Sequence, residues 1–240
     1  MKVDFKNKRV LVTGGTRGIG YQVANDMANL GAEVVITGTS SSPAHLHKNI
    51  EFIAVNFLNQ DATDKFIKYL KTQQFDICVN NAGINKIDPF CEIDIGDWED
   101  IIRVNLTVPF LIQQAVSKSM IAKMYGRVIN VSSIWGTIST PQRASYSSSK
   151  FGLRGMSLAA AAELAEYNVL INTVSPGFTL TDLTKKILTT EKIQELTHKI
   201  PAKRMAEPEE ISKVILFLAS EHNSYISGQN IVVDGGFVSI

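Results

Sequence analysis

The stretch Arg9-Val10-Leu11-Val12-Thr13-Gly14-Gly15-Thr16-Arg17-Gly18-Ile19-Gly20 decides the fold of this 240-residue chain. A short β-branched and aliphatic run ends in a glycine-rich turn, and an amphipathic pattern from Gly18 to Leu30 starts at once. Glycines permit a tight turn and close backbone approach, and the helix behind them points its first amides at whatever lies in the turn. A pyrophosphate suits that position. The spacing is G-x-x-x-G-x-G, not the commoner G-x-G-x-x-G, and a glycine turn alone is a weak signal. Its place, between the first strand and the first helix, is what gives it weight.

Working outward, short apolar runs alternate with longer amphipathic ones. Strands are expected at Arg9–Thr13, Glu33–Thr37, Ile50–Phe57, Phe75–Asn80, Gly126–Ser132, Val169–Ser175 and Asn230–Asp234. Helices are expected at Gly18–Leu30, Asp61–Gln73, Asp97–Met124, Ser145–Glu166 and Pro208–Ser220. Several strand runs are apolar nearly throughout, as strands covered on both faces are. The alternation predicts one α/β domain, a Rossmann-like doubly wound parallel sheet of about seven strands with helices on both faces. Residues 179–204 break the rhythm, polar and helical in places (Glu191–His198). In such a fold this excursion beyond a strand end covers the ligand crevice as a lid, or is a solvated surface helix.

Composition narrows the function. Hydrophobic residues make up 45%, charged residues 20%, and the formal net charge is +1, with no Lys/Arg-rich run. No field attracts nucleic acid or an anionic membrane. Two cysteines, Cys78 in an apolar run and Cys91 in a loop, propose neither a disulfide framework nor a metal site. MKVDFKNKRVLVTGG carries no apolar core of signal-peptide length, and no stretch reaches the length of a membrane span. A cytoplasmic protein with a small-molecule substrate is expected.

The second strand runs out at Gly38-Thr39-Ser40-Ser41-Ser42. A carboxylate here would hold the adenosine ribose hydroxyls and repel a 2′-phosphate. Hydroxyls stand in its place, with Arg17 nearby in the glycine turn, so NADP(H) is expected over NAD(H).

Four further features follow in order: Asn80-Asn81-Ala82-Gly83 after the fourth strand, Asn105 within a helix, Ser132-Ser133 ending the fifth strand, and Tyr146-Ser147-Ser148-Ser149-Lys150 opening a long helix. Each has an ordinary explanation alone. Together with the glycine turn they resemble the short-chain dehydrogenase/reductase family, in its TGxxxGIG and YxxxK branch, from about Lys6 to the end. The resemblance implies an oxidoreductase that interconverts a ketone and a secondary alcohol. It implies Ser133 polarising the carbonyl, Tyr146 passing the proton, Lys150 binding the nicotinamide ribose, and Asn105 holding a water of the proton relay. Tyr146 and Lys150 are one helical turn apart, so the cation, with the positive charge of an oxidised nicotinamide, should lower the phenol's pKa toward working pH.

The same resemblance implies a cofactor site at Gly14, Thr16, Arg17, Gly18, Ile19 and Gly20. Thr39, Asn56, Phe57, Asn81, Ala82 and Gly83 would flank the adenosine half. Tyr146, Lys150, Pro176, Gly177, Thr179 and Thr181 would flank the nicotinamide and pyrophosphate. Asn56 stands where the family usually has an aspartate, and the segment from Thr39 to Ile50 is short for a helix. Among relatives, the chain is similar to 3-oxoacyl carrier-protein reductases and to sugar or polyol dehydrogenases. Met124 and Tyr167 occupy positions where carrier-protein reductases often carry basic residues. A cofactor-binding regulator without catalysis is the third possibility, and the intact Ser133, Tyr146 and Lys150 argue against it. The resemblance further implies a homotetramer, built through the two long helices and the apolar tail after Gly235.

Overall fold

Val10, Val12, Val34, Ile36, Ile77, Val79, Ile129 and Val131 face one core, while Leu11, Val35, Cys78 and Val128, interleaved among them, face a second. Successive side chains alternate across a strand, so a run apolar at every position needs cover on both sides. The computed structural model describes residues 3–39, 46–181, 184 and 189–239. Among these, seven strands form the sheet: β1 (Arg9–Val12), β2 (Glu33–Gly38), β3 (Ile50–Ala54), β4 (Ile77–Asn80), β5 (Gly126–Val131), β6 (Val169–Pro176) and β7 (Asn230–Val233). Their order is β3-β2-β1-β4-β5-β6-β7, and every pairing is parallel.

The helices are α1 (Gly18–Asn29), α2 (Gln60–Thr72), α3 (Ile95–Ile102), α4 (Val108–Lys123), α5 (Ala144–Leu164), α6 (Thr190–Lys199) and α7 (Pro208–Ala219). Helices α1 and α7 cover the first core with Val23, Met27, Ile211 and Ile215. Helices α2 and α4 cover the second with Phe66, Leu70, Ile112, Val116 and Met120. Each such fully buried side chain contributes about 1.5–3 kcal/mol. Asp26 on α1 accepts a 2.6 Å hydrogen bond from the Ser212 hydroxyl on α7, which clamps the pair.

Because β1 lies between β2 and β4, the winding reverses beside it, and a crevice opens at the C-terminal ends of β1 and β4. A buried polar network holds the next strands and helices around that crevice. Asn80 on β4 donates to Asn130 on β5 (2.8 Å), and Asn130 donates to Gln113 on α4 (3.1 Å) and Ser157 on α5 (2.8 Å). Satisfied buried networks of this kind restrict a core to one arrangement.

The sequence expectation is met in element type and order, with two differences. Strand β3 stops at Ala54, so Asn56 and Phe57 lie beyond it. The expected helix Asp97–Met124 is broken: α3 ends at Ile102, residues Arg103–Thr107 form a π-turn, and α4 starts at Val108. Pro109 has no N–H for the carbonyl of Asn105, so the ladder widens where that donor is missing. Helix α6 covers the helical stretch expected at Glu191–His198 within the lid. Ser40, Ser41, Ser42 and part of the lid (182–183 and 185–188) lie outside the described residues.

Candidate active site

The glycine turn is held shut by the segment after β4. Gly14 has φ of +63°, and a Cβ there would fall 2.9 Å from the Ala82 Cα. A Cβ on Gly20 would collide with the Asn81 amide and the Gly14 carbonyl, so any side chain would push these segments apart. Asn81 donates from its side chain to the carbonyls of Thr13 (3.0 Å) and Gly14 (3.1 Å). The Thr13 hydroxyl accepts the backbone N–H groups of both Asn81 and Ala82 at 3.0 Å. Asn81-Ala82-Gly83 and Gly14–Gly20 thus form one wall.

At that wall, α1 begins with Arg17 as N-cap, no side chain capping its first amides and no acidic residue in its first turn. Free amides at the positive end of a helix are an anion cradle, so a pyrophosphate fits. Thr181 brings its methyl against Gly18, and Thr16 brings its own against Gly38. Arg17 and Thr39 are exposed at the ends of the turn and of β2. Ile19 packs partly buried on the first core.

Two of the expected adenosine residues also make contacts within the chain. The Asn56 side chain accepts from the Leu58 N–H at 3.0 Å. The Phe57 ring is buried against Phe66, with centroids 5.9 Å apart. Its carbonyl accepts from Arg103 at 2.7 Å.

On the other side, Pro176 ends β6 and the Gly177 N–H donates to Val233 (2.9 Å). The Thr179 hydroxyl donates to the Gly177 carbonyl (3.1 Å), and Thr179 bridges to Ala206.

Between these walls stand the four expected catalytic residues. Ser133 follows β5, and its oxygen accepts the Trp135 N–H at 3.2 Å, leaving its own O–H to donate. Tyr146 stands in the first turn of α5, beside Ser133. Lys150 is buried one turn on and donates to the Val131 carbonyl at 2.8 Å. Its ammonium lies 5.6 Å from the centre of the Tyr146 ring. Asn105, fully buried in the π-turn, clamps Ile84: its oxygen accepts the Ile84 N–H and its amide donates to the Ile84 carbonyl, both at 2.9 Å. The amide also donates to Ser149 (3.1 Å), whose hydroxyl donates to the Tyr146 carbonyl (2.7 Å). A Cβ on Gly83 would lie 3.3 Å from the Asn105 oxygen and 3.7 Å from the Lys150 nitrogen, so that glycine leaves room for both.

Burial pushes the Tyr146 phenol above its ordinary value, and Ser133 and Arg143 oppose the rise. Lys150 is itself desolvated: burial lowers its ammonium to about 8, which leaves it mostly charged at neutral pH.

Three features went unread in the sequence. Thr13 laces β1 to β4 through one hydroxyl. Trp135, Phe178 and Phe237 meet edge to face, with centroids 5.2–6.3 Å apart, as an apolar wall beside Ser133. Arg143 stands three residues before Tyr146, a spacing that places it on the same turn. Among the described residues, no cluster of His, Cys, Asp or Glu is placed to hold a metal ion. No helix is long and apolar enough to cross a membrane.

A family model described as Enoyl-(Acyl carrier protein) reductase matches residues 14–238. A 3-oxoacyl-[acyl-carrier-protein] reductase FabG from Aquifex aeolicus is 39% identical, over 98% of this chain and 99% of the relative. The chain belongs to the short-chain dehydrogenase/reductase family. A solved member described by that family name superimposes with a TM-score of 0.90 at 30% identity, covering 98% of this chain and 99% of its own. A gluconate 5-dehydrogenase from Burkholderia cenocepacia, solved with NADP and tartrate, superimposes with a TM-score of 0.90 at 29% identity, covering 99% and 97%. As a short-chain dehydrogenase/reductase, this protein is an oxidoreductase of CH–OH groups.

Proposed function

We propose that the protein is an NADP(H)-dependent reductase of a small carbonyl compound, with Tyr146 as the proton donor. The observation that carries this reading is the convergence of Ser133, Tyr146 and Lys150 on the mouth of the crevice, opposite an uncapped helix end. The bound nicotinamide supplies a hydride. Gly14, Gly18, Gly20 and the first amides of α1 hold its pyrophosphate, with Thr181 alongside. Ser133 donates a hydrogen bond to the substrate oxygen and stabilises charge growing there. Tyr146 gives that oxygen its proton. Lys150 retains two N–H donors beyond its bond to Val131, enough to hold the nicotinamide ribose. Asn105 fixes Ile84 and, with no N–H from Pro109, its carbonyl is suited to hold a relay water. Residues 179–204 act as the lid.

The test is NADPH oxidation across β-keto thioesters, keto sugars and simple diketones. Oxidation of none would overturn the reading. A second reading, 3-oxoacyl carrier-protein reduction, is favoured by the FabG likeness, and turnover confined to the thioesters would select it.

The cofactor reading predicts that NADPH binds at least about tenfold more tightly than NADH, as charge-assisted hydrogen bonds to a 2′-phosphate allow. Arg17→Ala should close most of that gap in a fluorescence titration of both cofactors; tighter binding of NADH by the native protein would refute it. The support is an exposed Arg17 beside a β2 end without a carboxylate.

We place the protein in the cytoplasm, on its two free thiols. We assign it a homotetramer, supported by the exposed Phe110 on α4 and by Phe151 and Leu158 on α5. Sedimentation at micromolar concentration should give about four chain masses, and a monomer would contradict the assignment.

A further inference from the structure

The reductase reading leaves Arg143 without a role. It is the N-cap residue of α5, three before Tyr146, so the two side chains share the first helical turn. It is half-buried, and it follows Gln142, whose φ of 66° lies in the left-handed region that non-glycine residues avoid.

Arg143 is placed at a cost in three ways. A cation at the start of a 21-residue helix faces the positive end of its dipole. The first turn of α5 carries no acidic residue and no side-chain cap to offset that charge. Among the described residues, the guanidinium forms neither an ion pair nor a hydrogen bond, and a half-buried charge without a partner is unfavourable. Other arginines have partners within the chain: Arg9 meets Gln73 (2.6 Å), Arg103 the Phe57 carbonyl (2.7 Å) and Arg204 Glu210, while Arg127 bonds the Gly126 carbonyl (2.8 Å) and leaves its Nε without a partner. Arg154, also half-buried, lies eight residues past Tyr146, about 12 Å along the helix and away from the phenol. The Arg143 charge opposes the rise that burial causes in the phenol.

An anion bound at this point offsets all three costs. We propose that Arg143 anchors the carboxylate of the substrate, so that the enzyme reduces small oxo acids in preference to neutral ketones. This rests on the reductase reading of Tyr146. The planar guanidinium fork matches a carboxylate with two parallel hydrogen bonds, which orients as well as binds. The Trp135, Phe178 and Phe237 wall leaves the rest of the substrate an apolar surface. The reaction balances as before: the carbonyl carbon gains the hydride, its oxygen gains the Tyr146 proton, NADPH is oxidised to NADP+, and the carboxylate is unchanged.

The test compares 4-oxopentanoate with its methyl ester, and acetoacetate with its methyl ester. The native enzyme should show a higher kcat/KM for each acid. Arg143→Gln should lower the acid-to-ester ratio by about tenfold or more, and Arg143→Lys should retain part of it. The ratio cancels any general loss of activity or folded fraction. Equal ratios in the native and Gln enzymes, or a native preference for the esters, would overturn the assignment. A second arm needs no turnover: with NADP+ bound, 4-oxopentanoate should perturb the fluorescence of Trp135 in the native protein, and far more weakly in Arg143→Gln. No NADPH oxidation with any substrate, together with a lost acid response in the variant, would sink the reductase reading and leave the anion anchor standing.

Discussion

Replacing Tyr146 by Phe should lower kcat by about 10²–10⁴-fold, the usual contribution of a positioned proton donor, while NADPH binding is little changed. The phenol oxygen is the single atom lost. The ring stays on α5 above the Lys150 ammonium, and the cradle at Gly14, Gly18 and Gly20 is untouched. Neither neighbour can substitute: Ser133 lacks a proton acidic enough at neutral pH, and Lys150 is turned to the Val131 carbonyl. Stopped-flow measurement of NADPH oxidation beside a fluorescence titration separates the two effects. Near-full activity in the variant would mean that the proton comes from elsewhere. Because burial holds the phenol above its ordinary value, reduction should persist through neutral pH and decline only in alkali, where Tyr146 loses its proton.

Lys150→Met should abolish efficient turnover and yet make the cofactor-free protein more stable at pH 7. Burial lowers this ammonium from an ordinary 10.5 to about 8. The cost of keeping it charged is about 3 kcal/mol at 1.36 kcal/mol per pKa unit. Loss of the hydrogen bond to Val131 offsets about 1 kcal/mol of that. A net gain of about 2 kcal/mol corresponds to a Tm rise of roughly 4–8 °C for a domain of this size. Between pH 8 and 10.5 the unfolded chain binds more protons at this lysine than the folded chain. The native protein therefore gains stability from this group as pH rises across that window. Its deficit against Lys150→Met should shrink from pH 8 upward and be constant below. Thermal unfolding of both proteins from pH 6.5 to 10 reads this directly. A variant less stable than the native protein at pH 7, with a pH-independent gap, would show that the buried cation is not costly. Sites that bind and react commonly hold groups whose burial opposes folding.

Much of the site was legible as spacing. Tyr146 and Lys150 are four residues apart, and a helix turns that distance into one face. The glycine turn follows directly on a strand, and no carboxylate ends the next one. These are local patterns, and local geometry is what a sequence carries most openly. Asn105 was legible as an oddity, an asparagine within a helical pattern. Its reason, the clamp on Ile84 across 21 residues of chain, was not.

Sequence alone determined the alternation of strands and helices, the double-sided burial of the strands and the order of the motifs. Each follows from periodicity or from the backbone freedom of glycine. Tertiary structure alone decided the charges. Desolvation depends on what surrounds a group, and burial raises the Tyr146 phenol and lowers the Lys150 ammonium to about 8. The same holds for Thr13, the aromatic wall and Arg143, whose significance lies in which partners they meet or lack. Those neighbours come from strands, turns and a helix distant in the chain, and only the parallel sheet, with its reversal beside β1, brings them to one crevice.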